Sequence, residues 1–447
     1  MIILTLNCGS SSAKYQVYDW KQKEAICVGI VERIGEDISH IENESKGKEV
    51  YDAKQYFPTH KEAVEFILKI ITDEEYGCIT NSDQIKAVGH RIVHGGETFT
   101  KSVVVTDAVL KDIEENIPLA PLHNPGHLMG INAVMAVLPK IPNVTIMDTA
   151  WHQTMPAKAF RYAVPKTWYT EHKVRKYGFH GTSFLYTTKR AAALLGKDPM
   201  DVNLIIAHVG NGASMCAVKN GVCYDTSMGL TPLDGLVMGT RSGQIDPAVV
   251  RFMCHKEDMT VDEVDTALNK KSGLLGITGK YIDRRDVLKG VLEGDEDCIL
   301  AKDMECYRIK KYIGSFAAAI GKIDAIVFTA GVGEMAPHIR KDAVEGLEFM
   351  GIKLDLEKND ISRTQRAETM ISTDDSPTKI FVIPTDEELV MTEDTVALLE
   401  GTYDVHSNFE YTFQKPGYVN KSRSEALKKQ LASKPELASI IVTPPKK

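Results

Sequence analysis

Apolar runs alternate along the chain with longer stretches in which apolar positions recur at helical spacing. Runs such as N-L-I-I-A-H-V at 203 to 209 and D-A-I-V-F-T-A at 324 to 330 each lead into glycine and predict strands. Strands alternating with amphipathic stretches predict an α/β chain. Two places share one layout. Ile2 to Leu6 is followed by N-C-G-S-S-S-A-K-Y-Q-V-Y, and Asn203 to Val209 by G-N-G-A-S-M-C-A-V. Each reads strand, Gly/Ser turn, strand, and each continues through a polar turn, Lys21-Gln22-Lys23 or Asn220-Gly221, into a third apolar strand. This predicts an internal duplication, two halves facing each other across a cleft.

A length of 447 residues predicts two or three packed units, and 43% hydrophobic with 26% charged residues is the composition of an ordinary globular chain. The eight cysteines form no C-x-x-C pair, which argues against a zinc site or a disulfide framework and for a reducing cytoplasm. The N-terminal apolar run is short and uncharged, unlike a secretory signal, and no apolar stretch approaches a membrane span. A net charge of -8 argues against general nucleic-acid affinity. Charge is uneven, however: residues 412 to 447 carry eight Lys and Arg against two Glu. With Pro416, Pro435, Pro444 and Pro445 and one helix-like stretch near Glu425 to Ala432, this segment reads as a solvated or loosely docked tail, with a polyanion-binding arm as the alternative.

Several segments concentrate chemistry. Asn7-Cys8-Gly9-Ser10-Ser11-Ser12-Ala13-Lys14 packs N–H groups, hydroxyls, an amide and an ammonium into a turn, a surface suited to phosphate oxygens, with Asn7 able to hold a magnesium-bound water. A Ser-rich hairpin turn accounts for the same residues. No Walker motif exists; Gly331-Val332-Gly333-Glu334-Met335-Ala336 fits a dinucleotide fingerprint, with Asp355 further on. In I-K-A-V-G-H-R-I-V-H-G-G, period-2 alternation puts Gly89, Arg91 and Val93 on one face and His90, Ile92 and His94 on the other. A guanidinium beside a small apolar wall suits a short carboxylate with an alkyl end; a structural ion pair is the competing account. The pairs His90/His94 and His123/His127 lie in strand-like and loop-like segments, which disfavours helical metal ligation. Asp148 ends an apolar strand, and His180 and Arg241 stand on glycine-flanked loops, for which turn chemistry alone is the competing account. Thr385 to Glu388 fits a capping box, which assigns Glu388 a structural task and leaves Glu387 to face the cleft, with simple complementing of the helix dipole as the competing account.

Taken together, L-T-L-N-C-G-S-S-S-A-K, G-H-R-I-V-H-G-G-E, L-A-P-L-H-N-P, D-T-A-W-H-Q-T-M-P, Y-G-F-H-G-T-S, H-V-G-N-G-A-S, D-T-S-M-G-L-T-P-L-D-G-L-V-M-G-T-R-S-G and P-T-D-E-E-L resemble the acetate kinase family over residues 3 to about 401. That family lies within the superfamily of acetate and sugar kinases, heat-shock 70 proteins and actin. The resemblance implies an actin-like, ribonuclease H-like fold: a duplicated βββαβαβα core in two domains with a central cleft. The expected division is an acetokinase domain over 1–150 completed by a helix at 385–403, a nucleotide-binding domain over 151–384, and a basic extension over 404–447.

The implied activity is reversible, Mg²⁺-dependent transfer of the ATP γ-phosphoryl group to acetate, giving acetyl phosphate and ADP, by a cytoplasmic homodimer; Mn²⁺ is an alternative metal. The resemblance assigns Arg91, Asp148, His180 and Arg241 to catalysis, and Arg91 with His123 to acetate. Val93, Leu122, Phe179 and Pro232 form the implied methyl pocket. The nucleotide would meet Lys14, His208, Val209, Gly210, Asn211, Gly212, Asp283, Arg284, Arg285, Gly331, Val332, Gly333, Glu334 and Met335, and Asn7 and Glu387 would serve the metal. Gly331-Val332 favours ATP over pyrophosphate, because relatives that use pyrophosphate resemble this family but block the adenosine pocket with bulkier residues. Trp151, Phe184, Met335 and Gly126-His127 depart from the family's usual residues. Other classes remain open: another short-chain acyl kinase such as a propionate kinase, a nicotinamide oxidoreductase built on Gly331-x-Gly333, or a nucleotide switch without acyl transfer. No nucleic acid or membrane partner is expected.

Overall fold

In the computed structural model, which describes residues 1–445, the chain opens with strand β1 (Ile2–Cys8), nearly all of it buried. A strand covered on both faces needs this continuous apolar run, and β1 lies at the centre of its sheet. It pairs antiparallel with β2 (Ser12–Asp19), which leads through β3 (Glu24–Glu32) and β4 (Ser39–Ser45) to β5 (Tyr51–Gln55). On its other side β1 pairs parallel with β6 (Ile85–Ile92), followed by β8 (Asn143–Met147) with the two-residue β7 (Val103–Val104) at the edge. The helix His60–Ile71 on this sheet is closed at its start by a capping box between Thr59 and Glu62.

The second sheet repeats the plan. Strands β9 (Leu204–Val209), β10 (Ala213–Lys219) and β11 (Val222–Thr226) form the antiparallel meander. Strand β12 (Ala325–Thr329) runs parallel to β9, β14 (Lys379–Val382) parallel to β12, and β13 (Thr369–Met370) closes the edge. The orders β3-β2-β1-β6-β8 and β11-β10-β9-β12-β14 coincide. The duplication expected from the two strand-turn-strand segments is therefore present, in the actin-like plan that the family resemblance implies.

The chain divides into two units: Met1–Gln153 with Asp386–Thr412 and Val419–Ser422, and Thr154–Thr385 with Phe413–Tyr418 and Arg423 onward. Each sheet is covered by a helix that comes after the other sheet in sequence. Helix Gly181–Leu195, which comes after β8, packs on β9 and β12, while helix Glu387–Leu399, which comes after β14, packs on β1, β6 and β8. The approach of the latter to β6 is close enough that a Cβ on Gly89 would lie 2.6 Å from Thr395 Oγ1. Among the described residues, no helix is long and apolar enough to cross a membrane.

Two sequence expectations need correction. The C-terminal segment is not loosely attached: Tyr411 and Phe413 are fully buried, Leu437 and Ile440 nearly so, and Ile441 bridges to Thr369 at the sheet edge. Its basic charge masked a few well-spaced apolar anchors, whose burial decides the docking. The capping box from Thr385 to Glu388 also fails to form. Asp386 is the N-cap instead, accepting from the Leu389 N–H at 3.1 Å. Either residue fits the sequence rule, and the backbone of the turn selects Asp386.

Helix Glu387–Leu399 also buries two consecutive acids. Asp394 accepts from the hydroxyls of Ser102 at 2.6 Å and Tyr411 at 2.7 Å, and Glu393 accepts from the N–H of Thr412 at 2.7 Å and from its hydroxyl. Burial outweighs these bonds, pushing Asp394 up to about 6 and Glu393 up to about 7. A carboxyl raised on folding stabilises the fold fully below its unfolded value and loses that contribution as the pH climbs through the folded one. Asp394→Asn should therefore gain stability relative to the parent between about pH 4 and about pH 6, by about 1 to 3 kcal/mol. Urea unfolding across that range measures it; parallel stability curves would refute the assignment.

Candidate active site

Parallel strands end at the same edge of a sheet, so polar residues placed at their carboxyl ends are gathered by topology alone. In the first unit, Asn7 is the penultimate residue of β1 and Arg91 that of β6, while Asp148 comes directly after β8. Lys14 proves to be a strand residue, not part of the turn, because β2 begins at Ser12 and sets Lys14 opposite Asn7. The turn between them is held by the Gly9 N–H donating to the Ser12 carbonyl at 2.8 Å. The first turn of helix Asn124–Val137 lies against this turn: a Cβ on Gly126 would come within 2.6 Å of the Gly9 carbonyl.

Asp148 is 1% exposed, and both of its oxygens are engaged by Arg91, Nε donating to Oδ1 at 3.0 Å and Nη2 to Oδ2 at 2.8 Å. Burial opposes the charge of Arg91, yet Asp148, with Glu387 and Glu388 nearby, holds the guanidinium above its ordinary value. A cavity of about 270 Å³ is lined by Asn7, Lys14, Arg91, Glu387 and Glu388 among others. Glu388 is the residue that sequence reasoning missed: the capping-box signal drew it away from the site. It keeps contact with solvent but sits deep among protein atoms. That desolvation, with the like charges of Glu387 and Asp386, raises its carboxyl to about 7. Asn7 and Glu387 offer only hard oxygen donors, the set that a magnesium ion takes alongside water and phosphate, so the residues fit the metal that the sequence implies.

Val93, just past the end of β6, is buried, His123 is half-buried, and Leu122 is 49% exposed. Of the remaining histidines, His90 and His94 are structural, while His127 lies in helix Asn124–Val137 and not in the expected loop, because the Pro-Gly pair falls in the helix's first turn. His90 bonds to Asn143 at 2.8 Å and is pushed down to about 4 by burial, His94 Nδ1 accepts from the Gly96 N–H, and His127 is pushed down to about 3, chiefly by burial.

In the second unit, His180 has φ +59, a left-handed conformation costly for a residue with a side chain, at the N-terminus of helix Gly181–Leu195. Its Nδ1 bonds to Ser214 Oγ at 2.7 Å, and its ring stacks on that of His208 at 4.0 Å. His208 in turn bonds through Nδ1 to Ser183 Oγ at 2.8 Å. These bonds direct the His180 Nε2 edge to the Gly210–Gly212 turn. A Cβ on Gly212 would lie 3.5 Å from that nitrogen and 3.7 Å from Nη1 of Arg241. Arg241 donates to the Pro232 carbonyl at 3.1 Å and has no carboxylate partner among the described residues. Burial lowers its pKa, which leaves a cation in want of an anion. Phe179, beside His180, is buried, and Pro232 is half-buried.

The other expected nucleotide residues divide by exposure. Val209 is the fully buried last residue of β9, Asn211 and Gly212 shape the turn after it, and Val332 and Met335 keep exposed surface on the short helix Ala330–Met335. A Cβ at Gly331 would meet no atom within 4 Å, so this position is open space. Asp283 caps helix Arg284–Glu293 and pairs with the exposed Arg285 at 2.5 Å. Arg284 turns inward, donating to Glu305 at 2.6 Å and to the Gly210 carbonyl at 2.8 Å, so it supports the turn from behind. Glu334, next to the backbone of Gly333, is also buried and accepts from Gln365 at 3.0 Å. Asp355, the acid required by the dinucleotide reading, caps helix Leu356–Ile361 through the Lys358 N–H at 3.0 Å, which removes that reading's support.

A model of the acetokinase family matches residues 2–393. The chain is 58% identical over 443 residues to an acetate kinase of Treponema pallidum (strain Nichols), covering 99% of each protein. The crystal structure of Porphyromonas gingivalis acetate kinase superposes with a TM-score of 0.85 at 44% identity, covering 89% of this chain and 99% of that one. A propionate kinase from Francisella tularensis subsp. tularensis SCHU S4 gives 0.82 at 39% identity, covering 88% and 99%.

The Gly212 geometry yields a direct check. A methyl group there fits without strain yet occupies the space facing both His180 and Arg241. Gly212→Ala should keep the parent's thermal midpoint and need about tenfold more phosphate for the same thermal stabilisation, read in a melting titration. Equal phosphate stabilisation in the two proteins would rule out an anion site at this turn.

Proposed function

The chain belongs to the acetokinase family, and on that premise we propose how its own residues carry out the family's reaction. It phosphorylates acetate, with ATP and ADP as the co-substrate pair. The observation that carries the residue-level proposal is the contrast between two guanidinium groups: Arg91 is locked in a fork by buried Asp148, while Arg241 is half-buried with no carboxylate of its own among the described residues.

Acetate is ionised near neutral pH, so its oxygen needs no base in order to attack phosphorus. The barrier is electrostatic: a carboxylate must reach a phosphate that already carries several negative charges. Phosphoryl transfer is accelerated mainly by positioning and by charge stabilisation. Arg91 binds the acetate carboxylate, and Asp148 orients Arg91; with both oxygens of Asp148 engaged by that guanidinium, a proton-removing role has no support. Arg241 neutralises the phosphoryl group in flight, and His180 donates to one of its equatorial oxygens. Transfer is direct and in line, and the same groups serve the reverse reaction. Asn7 and Glu387 would hold Mg²⁺, with Mn²⁺ as a substitute, and the metal would supply charge neutralisation at the donor phosphates.

The open space at Gly331 supports ATP over pyrophosphate as donor, with Lys14, the 208–212 turn and the 331–335 helix as its contacts. Buried Val93 beside Arg91 supports acetate over propionate. One methylene is worth about 1 to 3 kcal/mol, so propionate remains a poorer substrate. Exposed Phe252, Leu292 and Tyr307 on the second unit support a homodimer, and a sequence whose eight cysteines form no C-x-x-C pair supports a reducing cytoplasm.

Trapping acetyl phosphate as its hydroxamate tests this account. Arg91→Ala and Arg241→Ala should each lose about a thousandfold or more in kcat/KM, equivalent to about 4 kcal/mol, with unchanged circular dichroism. Asp148→Asn should lose at least about tenfold. Parental rates in both arginine variants would overturn the assignment.

A further inference from the structure

The family match ends at residue 393, within helix Glu387–Leu399, yet the chain beyond this helix is tied back to the helix's own start. The helix begins after the turn Pro384-Thr385-Asp386, and all three residues of the turn are held by two residues of the C-terminal segment. Asn420 Nδ2 donates to Asp386 Oδ2 at 2.8 Å. Arg423 donates through Nη1 to the Pro384 carbonyl at 2.8 Å and through Nη2 to the Thr385 carbonyl. Asp386 is thereby held from two sides, because its Oδ1 is the cap for the Leu389 N–H.

The turn has consequences in two directions. Glu387 is the first residue of the helix, so any rotation of the cap carries the carboxylate proposed for the metal with it. On the other side, the Thr385 N–H donates to Glu334 Oε1 at 3.3 Å, and Glu334 belongs to the short helix that carries Gly331 and Met335. The charge of Arg423 also acts on Glu334. The segment can impose geometry because it is itself fixed. Tyr411 and Phe413 are fully buried upstream of Asn420, and Leu437 is buried downstream of Arg423. Between these anchors, helix Lys421–Ser433 is pinned by Gln430, which accepts from the Thr364 hydroxyl at 2.8 Å.

We propose that the segment after Leu399 is a positioning element for the reaction: through Asn420 and Arg423 it fixes the Pro384–Asp386 turn and so sets Glu387 for magnesium and the Glu334 helix for the nucleotide. This rests on the assignment of Glu387 to the metal made under Proposed function. A segment that merely thickened the fold would have no reason to place a guanidinium fork on two successive carbonyls ahead of a helix cap.

The test is steady-state kinetics of the full-length protein with magnesium, ATP and acetate varied separately, on Asn420→Ala, Asn420→Asp, Arg423→Ala, Arg423→Lys and Glu387→Gln. Arg423→Ala and Asn420→Asp, the latter setting a second carboxylate against Asp386, should raise the half-saturating magnesium concentration roughly tenfold and the KM for ATP by several-fold, with the KM for acetate unchanged. Arg423→Lys and Asn420→Ala should fall between these and the parent. Parental magnesium and ATP dependence in the Arg423 and Asn420 variants, beside a clear defect in Glu387→Gln, would overturn the proposal. So would a lowered melting temperature with every KM unchanged. Parental magnesium dependence in Glu387→Gln would instead remove the metal assignment itself and the proposal with it.

Discussion

Bringing one anion against another is the constraint on which the rest of this structure depends. A carboxylate attacking a nucleotide phosphate must have its repulsion cancelled by fixed positive charge, and a buried cation is expensive unless something holds it. The chain meets this cost differently in its two units. In the first, Arg91 is charged and oriented by Asp148, which is itself buried and gives both of its oxygens to the fork. In the second, Arg241 is left with a backbone carbonyl and, among the described residues, no carboxylate, beside a histidine held in the left-handed backbone region. One cation is neutralised internally, and the other awaits a ligand.

The duplicated topology makes such gathering possible. In both sheets the central strand is flanked on one side by an antiparallel meander and on the other by two parallel strands, so three carboxyl ends meet at one edge. Asn7, Arg91 and Asp148 come from positions far apart in the chain and need no special loop to meet. In the second unit, a layer of buried groups supports the site residues from within. Arg284 holds the Gly210 carbonyl, Ser214 and Ser183 fix the two stacked imidazoles, and Glu334 ties the 330–335 helix to the turn before Asp386. Sites of this kind lose precision first when their supporting bonds are cut.

The C-terminal segment shows how a charge count misleads. Its excess of lysine describes what faces water, whereas its attachment is set by Tyr411, Phe413, Leu437 and Ile440, which face the interior. The acids beneath it, Glu393 and Asp394, are tolerated because hydroxyls and an N–H from Ser102, Tyr411 and Thr412 surround them. Composition averages over faces that packing separates.

What the sequence determined by itself was local and periodic: the two strand-turn-strand repeats, the α/β alternation, the strand face shared by Arg91 and Val93, and the glycine-flanked positions of His180 and Arg241. These arise from backbone chemistry that is present in any short window. Tertiary structure decided everything that depends on which groups share an interior. It made Asp386 and not Thr385 the cap, brought Glu388 to the cavity wall, turned Arg284 and Glu334 inward and engaged Asp355 as a helix cap. Adjacent residues such as Glu387 and Glu388, or Arg284 and Arg285, carry the same local signal. Only the strands and helices brought against them from distant parts of the chain supply the dielectric and the partners that tell them apart.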